Sequence, residues 1–370
     1  MIFTVNEEVK KMKFVHIADI HFDTPFVNLS DRENFGELKR LEQRRVFKEV
    51  IEYVKINKIE NLFISGDIYE SQYIRESTIY YINNLFKEIP ETKIYITPGN
   101  HDPITKDSYY NKFKWNDNVY IFKNEIEKIE TEEVDIYGFG FDDYYCKSSN
   151  IESIKIENKN KINILIIHAT LDGATNIEKI YNPISRKTLE NIGFDYVALG
   201  HIHKNNFSKN EKIVYPGSLV ALGFDELGKH GMVSGKIENG VLETEFIEIK
   251  QKEFSEEKID VTGINSFEEL IEKINNIENS ENKLLKINLI GKRNFEININ
   301  NLYKLIFNNN IIKIKNNTKI NYNLEKISNE NTLRGLFIKD MLEKLNNSEI
   351  TEEEKEIIEK SIEIGLDALK

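Results

Sequence analysis

Side chains able to bind metal ions follow each of five short apolar runs in the sequence. The runs are KFVHIAD (13–19), NLFISGD (61–67), KIYITPGN (93–100), INILIIH (162–168) and DYVALGH (195–201). At or just beyond their ends stand Asp19, His21, Asp67, Asn100, His101, His168, His201 and His203. Carboxylate, imidazole and amide oxygen donors suit Mn2+, Fe2+ or Zn2+. The first chemistry to consider is therefore that of a transition-metal site.

The number of these donors exceeds what one ion needs. This favours two ions about 3.5–4 Å apart that share a carboxylate. Asp67 is the natural bridge, because it is a single carboxylate at the end of a central strand. Such a pair of ions polarises a phosphoryl group and lowers the pKa of a bound water. Each motif alone would be interpreted as a turn, a helix cap or a core histidine, and only their recurrence at strand ends favours the metal site.

The elements that must position these side chains alternate between strands and helices. Each run is short and rich in Ile, Val, Phe or Leu, as in a strand covered on both faces. Residues 37–58 have helical periodicity, with one apolar face formed by Leu38, Leu41, Phe47, Val50, Ile51 and Val54. A further helix contains Ile82, Leu85, Phe86 and Ile89. A third helix ends at Gly193, before DYVALGH.

This alternation predicts an α/β fold in which helices layer a sheet. Ligands bind at the carboxyl ends of strands in such sheets, and parallel strands place those ends at one edge. Candidates that are spread from Asp19 to His203 are therefore expected to converge. Of the seven histidines, His16 and His230 stand outside the clusters. We expect His16 in the core and His230 in a loop.

The pattern changes near Lys250. A capping box at 266–269 predicts a helix that continues to about Ile277. The Asn-rich stretch 298–323 alternates Ile and Lys, which favours exposed strands over a loop. Strand-like runs are found at 284–290, 310–315 and, less regularly, 319–324. A small α+β domain is the simplest interpretation.

The tail, residues 331–370, is expected to be helical. A second capping box at 351–354 precedes apolar residues at helical spacing, which are Ile358, Ile362, Leu366 and Leu369. An amphipathic terminal helix packs more often on its own domain than on a partner.

Length and composition bound the class of protein. The 370 residues suggest two or three domains, and a content of 40% apolar and 30% charged residues is ordinary for a globular protein. The net charge of −12 argues against a surface coated for nucleic-acid binding. A local basic groove, or metal ions, could still attract phosphates.

Several features bear on the compartment. Cys146 is the single cysteine, so no disulfide can form within the chain. No apolar run approaches the about 20 residues of a membrane span. The N-terminal MIFTVNEEVKK lacks the features of a secretory signal. We therefore expect a cytoplasmic protein without a membrane segment.

The metal-capable motifs resemble those of the calcineurin-like metallophosphoesterase superfamily, in the same order. They are DIH (19–21), GDIY (66–69), GNHD (99–102), His168 after an apolar strand, and GHIH (200–203). Within the superfamily, three segments are similar to SbcD-type DNA repair nucleases, namely FVHIADIHFDTPF, DYVALGHIHK and VYPGSL. The resemblance implies a sandwich of two mixed sheets flanked by helices, with a dimetal site at one edge.

The resemblance also implies a role for each residue. The ligands divide into Asp19, His21 and His203 for the first ion, Asn100, His168 and His201 for the second, and Asp67 between them. His101 would not bind an ion but would contact the scissile phosphate and protonate the leaving oxygen, with Asp102 orienting its ring. The residues alone do not separate His101 from the ligands.

One position departs from part of the family. Some relatives, chiefly archaeal and eukaryotic, carry a histidine three residues after the bridging aspartate, where this chain has Glu70. A glutamate cannot make the same phosphate contact, so the chemistry around the leaving group stays open. The family's natural start corresponds to Met12, which suggests that residues 1–11 are an upstream extension without function.

The resemblance extends to domain organisation. It implies an N-terminal extension (1–12), a metallophosphoesterase domain (13–250), an α+β capping domain (251–328) and a helical segment (329–370) that docks a partner ATPase. It further implies a homodimer that acts on DNA with an SbcC-like coiled-coil ATPase. No Walker motif occurs in this chain, so any ATP dependence must come from elsewhere.

The leading functional hypothesis is a Mn2+-dependent 3′–5′ DNA exonuclease, with endonuclease activity and use of Fe2+ or Zn2+ left open. A small-substrate phosphoesterase, such as a nucleotidase or cyclic-nucleotide phosphodiesterase, is the main alternative. The acidic charge favours that alternative, whereas the extra segment 251–370 favours the nuclease. A non-catalytic scaffold is disfavoured, because every ligand position holds a competent residue.

Overall fold

The computed structural model describes residues 10–27, 29–32, 34–173, 181–278, 281–347 and 349–369. The chain divides into two compact units. The first comprises Met1–Glu256, Ser280–Lys286 and Asn310–Lys313, and the second comprises Glu257–Asn279, Ile287–Asn309 and Ile314–Lys370. The domain boundaries drawn from the sequence stay predictions.

The strands of the first unit form two mixed sheets. They are β1 (Lys11–Ile17), β2 (Asn61–Ile64), β3 (Lys93–Ile96), β4 (Val119–Ile121), β5 (Glu127–Glu130), β6 (Val134–Phe139), β7 (Ile162–His168), β8 (Thr170–Leu171), β9 (Pro183–Ile184), β10 (Tyr196–Gly200), β11 (Ile213–Val214), β12 (Gly231–Glu238) and β13 (Val241–Glu248). One sheet has the order β13-β12-β1-β2-β3-β4 and the other β11-β10-β7-β6-β5, while β8 and β9 pair separately.

The first strand begins earlier than the sequence suggested. Lys11 and Met12 were assigned to an N-terminal extension, but they belong to β1 and pair with Glu238 and Ile237 of β12. Met12 is buried. Residues 1–9, the rest of that extension apart from Lys10, lie outside the described ranges.

Side-chain alternation along the strands builds the core between the two sheets. Met12 and Phe14 of β1 point to the same face, as the period of two requires, and pack with Ile164 of β7 and Tyr196 of β10. The rings of Phe14 and Tyr196 are 4.5 Å apart between centroids. Val15, the next residue along β1, points to the opposite face and joins a second apolar cluster. The predicted two-sheet sandwich is confirmed.

Helices cover the outer faces of the sandwich. They are α1 (Phe35–Ile56), α2 (Glu76–Phe86), α3 (Tyr109–Lys112) and α4 (Arg186–Ile192). Apolar residues of α1 and α2 join the cluster of β1, β2 and β3, and Leu189 of α4 packs on the other sheet. The predicted end of α4 at Gly193 is confirmed, since this residue has a left-handed φ of 87°.

The buried face of α1 differs from the prediction in its first half. Leu38 and Leu41 were expected in the core, but they are 62% and 56% exposed. Lys39 and Gln43 are buried instead. The side chain of Gln43 donates to two carbonyl oxygens in the segment after β1, one of them that of His21 at 2.9 Å. The backbone oxygens of this buried turn need hydrogen-bond donors, and the side chain of Gln43 supplies them. The apolar pattern of the sequence therefore did not predict which face of α1 is buried here.

The carboxyl ends of the site-bearing strands lie at one edge of the sandwich. β1, β2 and β3 are parallel neighbours, with Ile64 of β2 opposite Ile17 of β1 and Ile96 of β3. β7 and β10 are likewise parallel, with His168 opposite Gly200. The convergence predicted from the sequence is therefore confirmed for the elements.

The later part of the chain contains further strands and helices. The strands are β14 (Glu253–Asp260), β15 (Lys283–Ile290), β16 (Lys292–Arg293), β17 (Ile311–Asn316) and β18 (Lys319–Ile320). β14, β15 and β17 form one sheet, and β16 pairs with β18. The helices are α5 (Phe267–Asn275), α6 (Ile299–Leu305), α7 (Leu324–Ser328), α8 (Leu333–Leu345) and α9 (Glu352–Ala368).

Three details of this part were predicted wrongly. The stretch expected as exposed strands contains α6, and Ile311, Ile312 and Ile314 of β17 are buried. The strand expected at 319–324 is only the two residues of β18. At α5, Ser266 caps the backbone N–H of Glu269, but the Glu269 carboxylate accepts from Asn265 and not from Ser266, so the capping box is incomplete.

The terminal helices form a small core within the second unit. Ile327 of α7, Ile338 of α8, and Ile362 and Leu366 of α9 are buried together. The predicted capping box between Thr351 and Glu354 is complete. The prediction that the tail packs on its own domain agrees with this cluster. Within the described residues, no helix is both long and apolar enough to span a lipid bilayer.

Candidate metal centre

The first group of predicted ligands comes together after β1 and β10. Asp19, His21 and His203 each offer one donor atom, and these atoms lie within 4.8 Å of one another. The Nε2 atoms of His21 and His203 are 3.2 Å apart. The Asp19 carboxylate also accepts hydrogen bonds from the backbone N–H of His201, at 3.1 and 3.0 Å. These side chains converge on one point although the chain between them is long.

Asp67 stands at the centre of the site. Its Oδ2 lies 3.7 Å from Nε2 of His21 and 3.4 Å from Nε2 of His168. Asp67 thus joins the His21 side of the cluster to the His168 side, as a bridging carboxylate would. Burial alone would favour its neutral form, but His168 and His21 hold the pKa of Asp67 well below its usual range.

The remaining predicted ligands lie on the other side of Asp67. Nε2 of His168 is 3.0 Å from Oδ1 of Asn100, while Nδ1 is 2.9 Å from the carbonyl oxygen of Ser65. His201 packs edge-on against His168, with 5.1 Å between ring centroids. Burial and the neighbouring His168 lower the pKa of His201 to about 3, so its ring is neutral and able to bind a metal.

The local backbone is adapted to this crowding. Asp19, His21, Asp67 and His201 all have positive φ, at 51°, 52°, 53° and 103°. Non-glycine residues adopt such angles rarely, and they concentrate at functional sites. A Cβ on Gly99 would lie 2.3 Å from Oδ1 of Asp67, so only glycine fits there.

The arrangement fits divalent metal ions. Nε2 of His201 is buried and has no hydrogen-bond partner among the described residues, which is costly for a polar atom unless it binds a ligand. The close pair of Nε2 atoms on His21 and His203 likewise favours a cation between them. The donors are carboxylate, imidazole and amide, as Mn2+, Fe2+ or Zn2+ require.

His101 is more exposed than the predicted ligands, although a donor atom of its ring lies within 4.8 Å of donor atoms of His21 and Asp67. Its side chain is 44% exposed, and its backbone N–H donates to Oδ1 of Asp67 at 2.8 Å. Nδ1 of the ring is 2.9 Å from Oε2 of Glu70. Burial favours the neutral ring, but the Glu70 hydrogen bond and the Asp67 charge outweigh it and raise the pKa of His101 to about 9.

Asp102 does not orient the ring of His101, contrary to the expectation. Its carboxylate accepts from the backbone N–H groups of Asp67, Ile68 and Gly99, at 3.1, 2.6 and 2.7 Å, and from the hydroxyl of Tyr110 at 2.6 Å. Burial and the nearby Asp67 raise the pKa of Asp102 to about 6. Asp102 therefore ties the turn after β2 to the turn after β3.

Two glutamates at the site were missed as site residues. Glu70 contacts Nδ1 of His21 at 2.7 Å as well as His101, and Glu226 contacts Nδ1 of His203 at 2.6 Å. Although burial opposes ionisation, these histidine contacts lower the pKa of each glutamate to about 2. The turn shared with Asp67 could have indicated Glu70, whereas Glu226 gave no signal in the sequence.

The two other histidines follow the expectations in part. His16 is buried in the core, where its ring lies 3.0 Å from the hydroxyl of Tyr196 and 3.1 Å from that of Ser65. His230 precedes β12 in a loop, as predicted, but it is buried and contacts the backbone oxygens of Ser218 and Glu226.

The site opens into a pocket of about 470 Å³. Its wall includes His101, His203 and two aromatic residues, Tyr144 and Tyr181. The Tyr181 ring packs against His201, with 5.3 Å between centroids. The pocket thus combines a cluster of metal-capable groups with apolar ring faces.

Comparison with known proteins identifies the family to which this chain belongs. The model of the calcineurin-like phosphoesterase family matches residues 12–205, the range that carries all the predicted ligands. The chain belongs to this family. The fold therefore is that of a calcineurin-like phosphoesterase, and the cluster around Asp67 is its candidate dimetal centre.

Individual relatives are distant. The chain is 25% identical over 287 residues to a Bacillus subtilis (strain 168) protein named uncharacterized metallophosphoesterase YhaO, over 74% of this chain and 69% of that protein. It is 27% identical over 326 residues to the SbcD component of nuclease SbcCD from Staphylococcus epidermidis, over 75% of this chain and 83% of that protein. A dimetal phosphatase structure from Danio rerio covers 64% of this chain and 97% of its own, with 10% identity and a TM-score of 0.39.

Proposed function

We propose that this protein is a dimetal-dependent DNA nuclease of the SbcD type, a phosphodiester hydrolase with 3′–5′ exonuclease activity. The observation that best supports the proposal is the convergence of two sets of metal-capable side chains on Asp67, beside His101 and an open pocket. The similarity to the SbcD component of nuclease SbcCD adds the substrate class.

The proposed ligands form two sets that share Asp67. Asp19, His21 and His203 would hold one ion, Asn100, His168 and His201 the other, and Asp67 would contact both. When bound, two divalent ions would supply Lewis acidity to the phosphoryl oxygen and to the attacking water. We propose Mn2+, because these donors suit it, with Fe2+ and Zn2+ as alternatives that share the same preference.

The chain's own catalytic group would be His101. Its ring is exposed towards the pocket, and its raised pKa keeps it protonated near neutral pH. It can contact the scissile phosphate and give its proton to the leaving oxygen as the P–O bond breaks. Water adds to phosphorus, so the products are a phosphate monoester and a free hydroxyl. Glu70, and not Asp102, would orient the ring.

Two features favour DNA over a small phosphoester. Tyr144 and Tyr181 offer ring faces beside the site, and bases stack on such rings without sequence preference. The chain also has a second folded unit, which a small-molecule phosphoesterase has no need of. The cytoplasmic location, the homodimer and the SbcC-like coiled-coil ATPase partner belong to the same proposal.

In the test, the purified protein is incubated with Mn2+ and one of two kinds of substrate. One is linear duplex DNA labelled at either end, and the other is a panel of mononucleotides and cyclic nucleotides. We expect DNA to be shortened from its 3′ ends. Turnover of the nucleotides alone would replace the nuclease with a small-substrate phosphoesterase. The Asp67→Asn variant controls for contaminating nucleases.

A further inference from the structure

His21 and His203, two of the proposed ligands of the first ion, each contact a glutamate through Nδ1. Oε1 of Glu70 is 2.7 Å from Nδ1 of His21, and Oε1 of Glu226 is 2.6 Å from Nδ1 of His203. Both glutamates are shielded from solvent, with side chains 18% and 9% exposed. Neither glutamate belongs to the predicted ligand set: Glu70 follows Asp67 in the turn after β2, and Glu226 lies in the loop before β12.

These contacts fix how the two rings present themselves. An ionised carboxylate can only accept, so Nδ1 of each ring donates its hydrogen to the glutamate and Nε2 is the nitrogen left to bind a metal ion. The two Nε2 atoms are the pair that lies 3.2 Å apart, next to Asp19. Both rings therefore direct Nε2 towards one point, as the binding of a shared metal ion requires.

The glutamates are themselves held in place. The second oxygen of Glu226 accepts from the hydroxyl of Ser218 at 2.7 Å and from the backbone N–H of Leu222 at 3.0 Å. The second oxygen of Glu70 contacts Nδ1 of His101. Neither carboxylate can swing away from its histidine without breaking further bonds.

The second ligand set has no such support. Nδ1 of His168 faces the neutral carbonyl oxygen of Ser65, and Asn100 contributes an uncharged amide. Nε2 of His201 has no hydrogen-bond partner in the part of the chain that the structure describes. Apart from the shared Asp67, no carboxylate of the described residues pairs with these side chains within 4 Å, and that of Asp19 lies within 4.8 Å of a ring nitrogen of His168. A divalent ion there would be stabilised by less negative charge.

We propose that Glu70 and Glu226 are positioning residues that orient His21 and His203 and make the Asp19–His21–His203 set the tighter of two ion sites. The inference rests on the proposed dimetal site but not on DNA as substrate. Partners of this kind behind metal-binding histidines typically change metal affinity by about 10- to 100-fold.

The experiment titrates the metal-depleted full chain with Mn2+ and follows binding by calorimetry and by the EPR signal of free Mn2+. We expect two steps of different affinity. Glu70→Gln and Glu226→Gln should each weaken the tight step about 10- to 100-fold and leave the weak step in place. Asn100→Ala should remove the weak step and keep the tight one, which assigns the steps to the two sets.

Controls keep the outcomes distinct. Glu49→Gln removes an exposed carboxylate that pairs with Arg45 on α1, and it should bind Mn2+ as the wild type does. Glu70→Asp and Glu226→Asp keep the charge, so the Mn2+ affinity of their tight step should lie between that of the wild type and that of the Gln variants. An unchanged tight step in both Gln variants, or its loss in Asn100→Ala, would overturn the inference. A wild-type chain that takes up no Mn2+ would overturn the proposed function itself.

Discussion

The ring of His101 is held by Glu70 and not by the adjacent Asp102. Nδ1 of His101 lies 2.9 Å from Oε2 of Glu70, whose other oxygen contacts His21. One carboxylate therefore touches both a proposed metal ligand and the proposed proton donor. The position that some relatives fill with a histidine is used here to position other groups.

This double contact predicts that the effect of Glu70→Gln depends on the leaving group. The leaving group of a DNA phosphodiester is a basic alkoxide, which needs the proton from His101. The p-nitrophenolate that leaves a p-nitrophenyl phosphodiester is weakly basic and does not need this proton. With Mn2+ saturating, we expect kcat to fall about 100-fold on DNA and much less on the aryl ester. The Glu226 carboxylate contacts His203 but not His101, so Glu226→Gln should leave the ratio of the two rates unchanged. Equal losses on both substrates in Glu70→Gln would contradict the role of the His101 contact.

His101→Gln is expected to separate catalysis from metal binding. The ring makes its hydrogen bond to Glu70 and faces the pocket, so its loss should lower kcat on DNA by about 10²- to 10⁴-fold. The number of Mn2+ ions bound per chain should stay the same. Loss of one bound ion would show that His101 is a ligand.

Asp67→Asn should disturb both ion sites at once, because its carboxylate lies close to His21 and to His168. We expect at least about a 100-fold loss of phosphodiesterase activity. The check is metal content after gel filtration, compared with Asn100→Ala, which should lose one ion only. Retention of two ions would refute the bridging role.

Metal removal should lower stability as well as activity. An ion that binds only the folded chain, present at 100 times its Kd, adds about 2.7 kcal/mol to the free energy of unfolding. EDTA should therefore lower Tm and abolish hydrolysis, and Mn2+ should restore both. The Asp67→Asn variant serves as the control, since its Tm should respond far less to EDTA.

Tyr181 and Tyr144 are expected to affect substrate affinity more than turnover. Base stacking on an aromatic ring contributes about 1–3 kcal/mol. Tyr144→Ala should raise KM for DNA about 5- to 150-fold while KM for an aryl phosphodiester changes little. Tyr120→Ala, at an exposed ring on β4, is the matched control. An unchanged KM for DNA would exclude stacking at Tyr144.

The buried His16 predicts a dependence of stability on pH. Burial lowers its pKa to about 3 in the folded chain, from 6.5 when unfolded. Below pH 6.5 the unfolded chain binds a proton that the folded chain does not, so stability is greatest above that pH and declines towards pH 3. The slope from this group is about 1.4 kcal/mol per pH unit. Chemical unfolding in EDTA at several pH values should show a shallower slope for His16→Asn than for the wild type.

The sequence predicted the ligand-bearing strands well because their signal is local. A short β-branched run followed by Asp, Asn or His determines both the strand and the chemistry at its end, and β7 matches its predicted bounds of 162 and 168. The parallel pairing of these strands then brings Asp19 and His203 together. Both steps need only periodicity and topology.

The errors share a different cause. Leu38 and Leu41 follow helical periodicity but are exposed, because the buried turn near His21 takes donors from Gln43. Glu226 lies 23 residues from His203 in a loop, so its contact depends on a chain path that periodicity does not encode. Contacts between side chains of distant loops were the part that the sequence could not predict.

The left-handed backbone at Asp19, His21 and Asp67 bears on how this family member should be mutated. Asparagine and glycine tolerate such angles, whereas alanine and β-branched residues do so at a cost in free energy. An alanine scan of the centre would therefore mix loss of coordination with distortion of the turns. At Asp19 and Asp67, substitution by asparagine keeps the turn and the side-chain size and replaces a charged carboxylate by an amide, which makes it the cleaner probe of ion binding there.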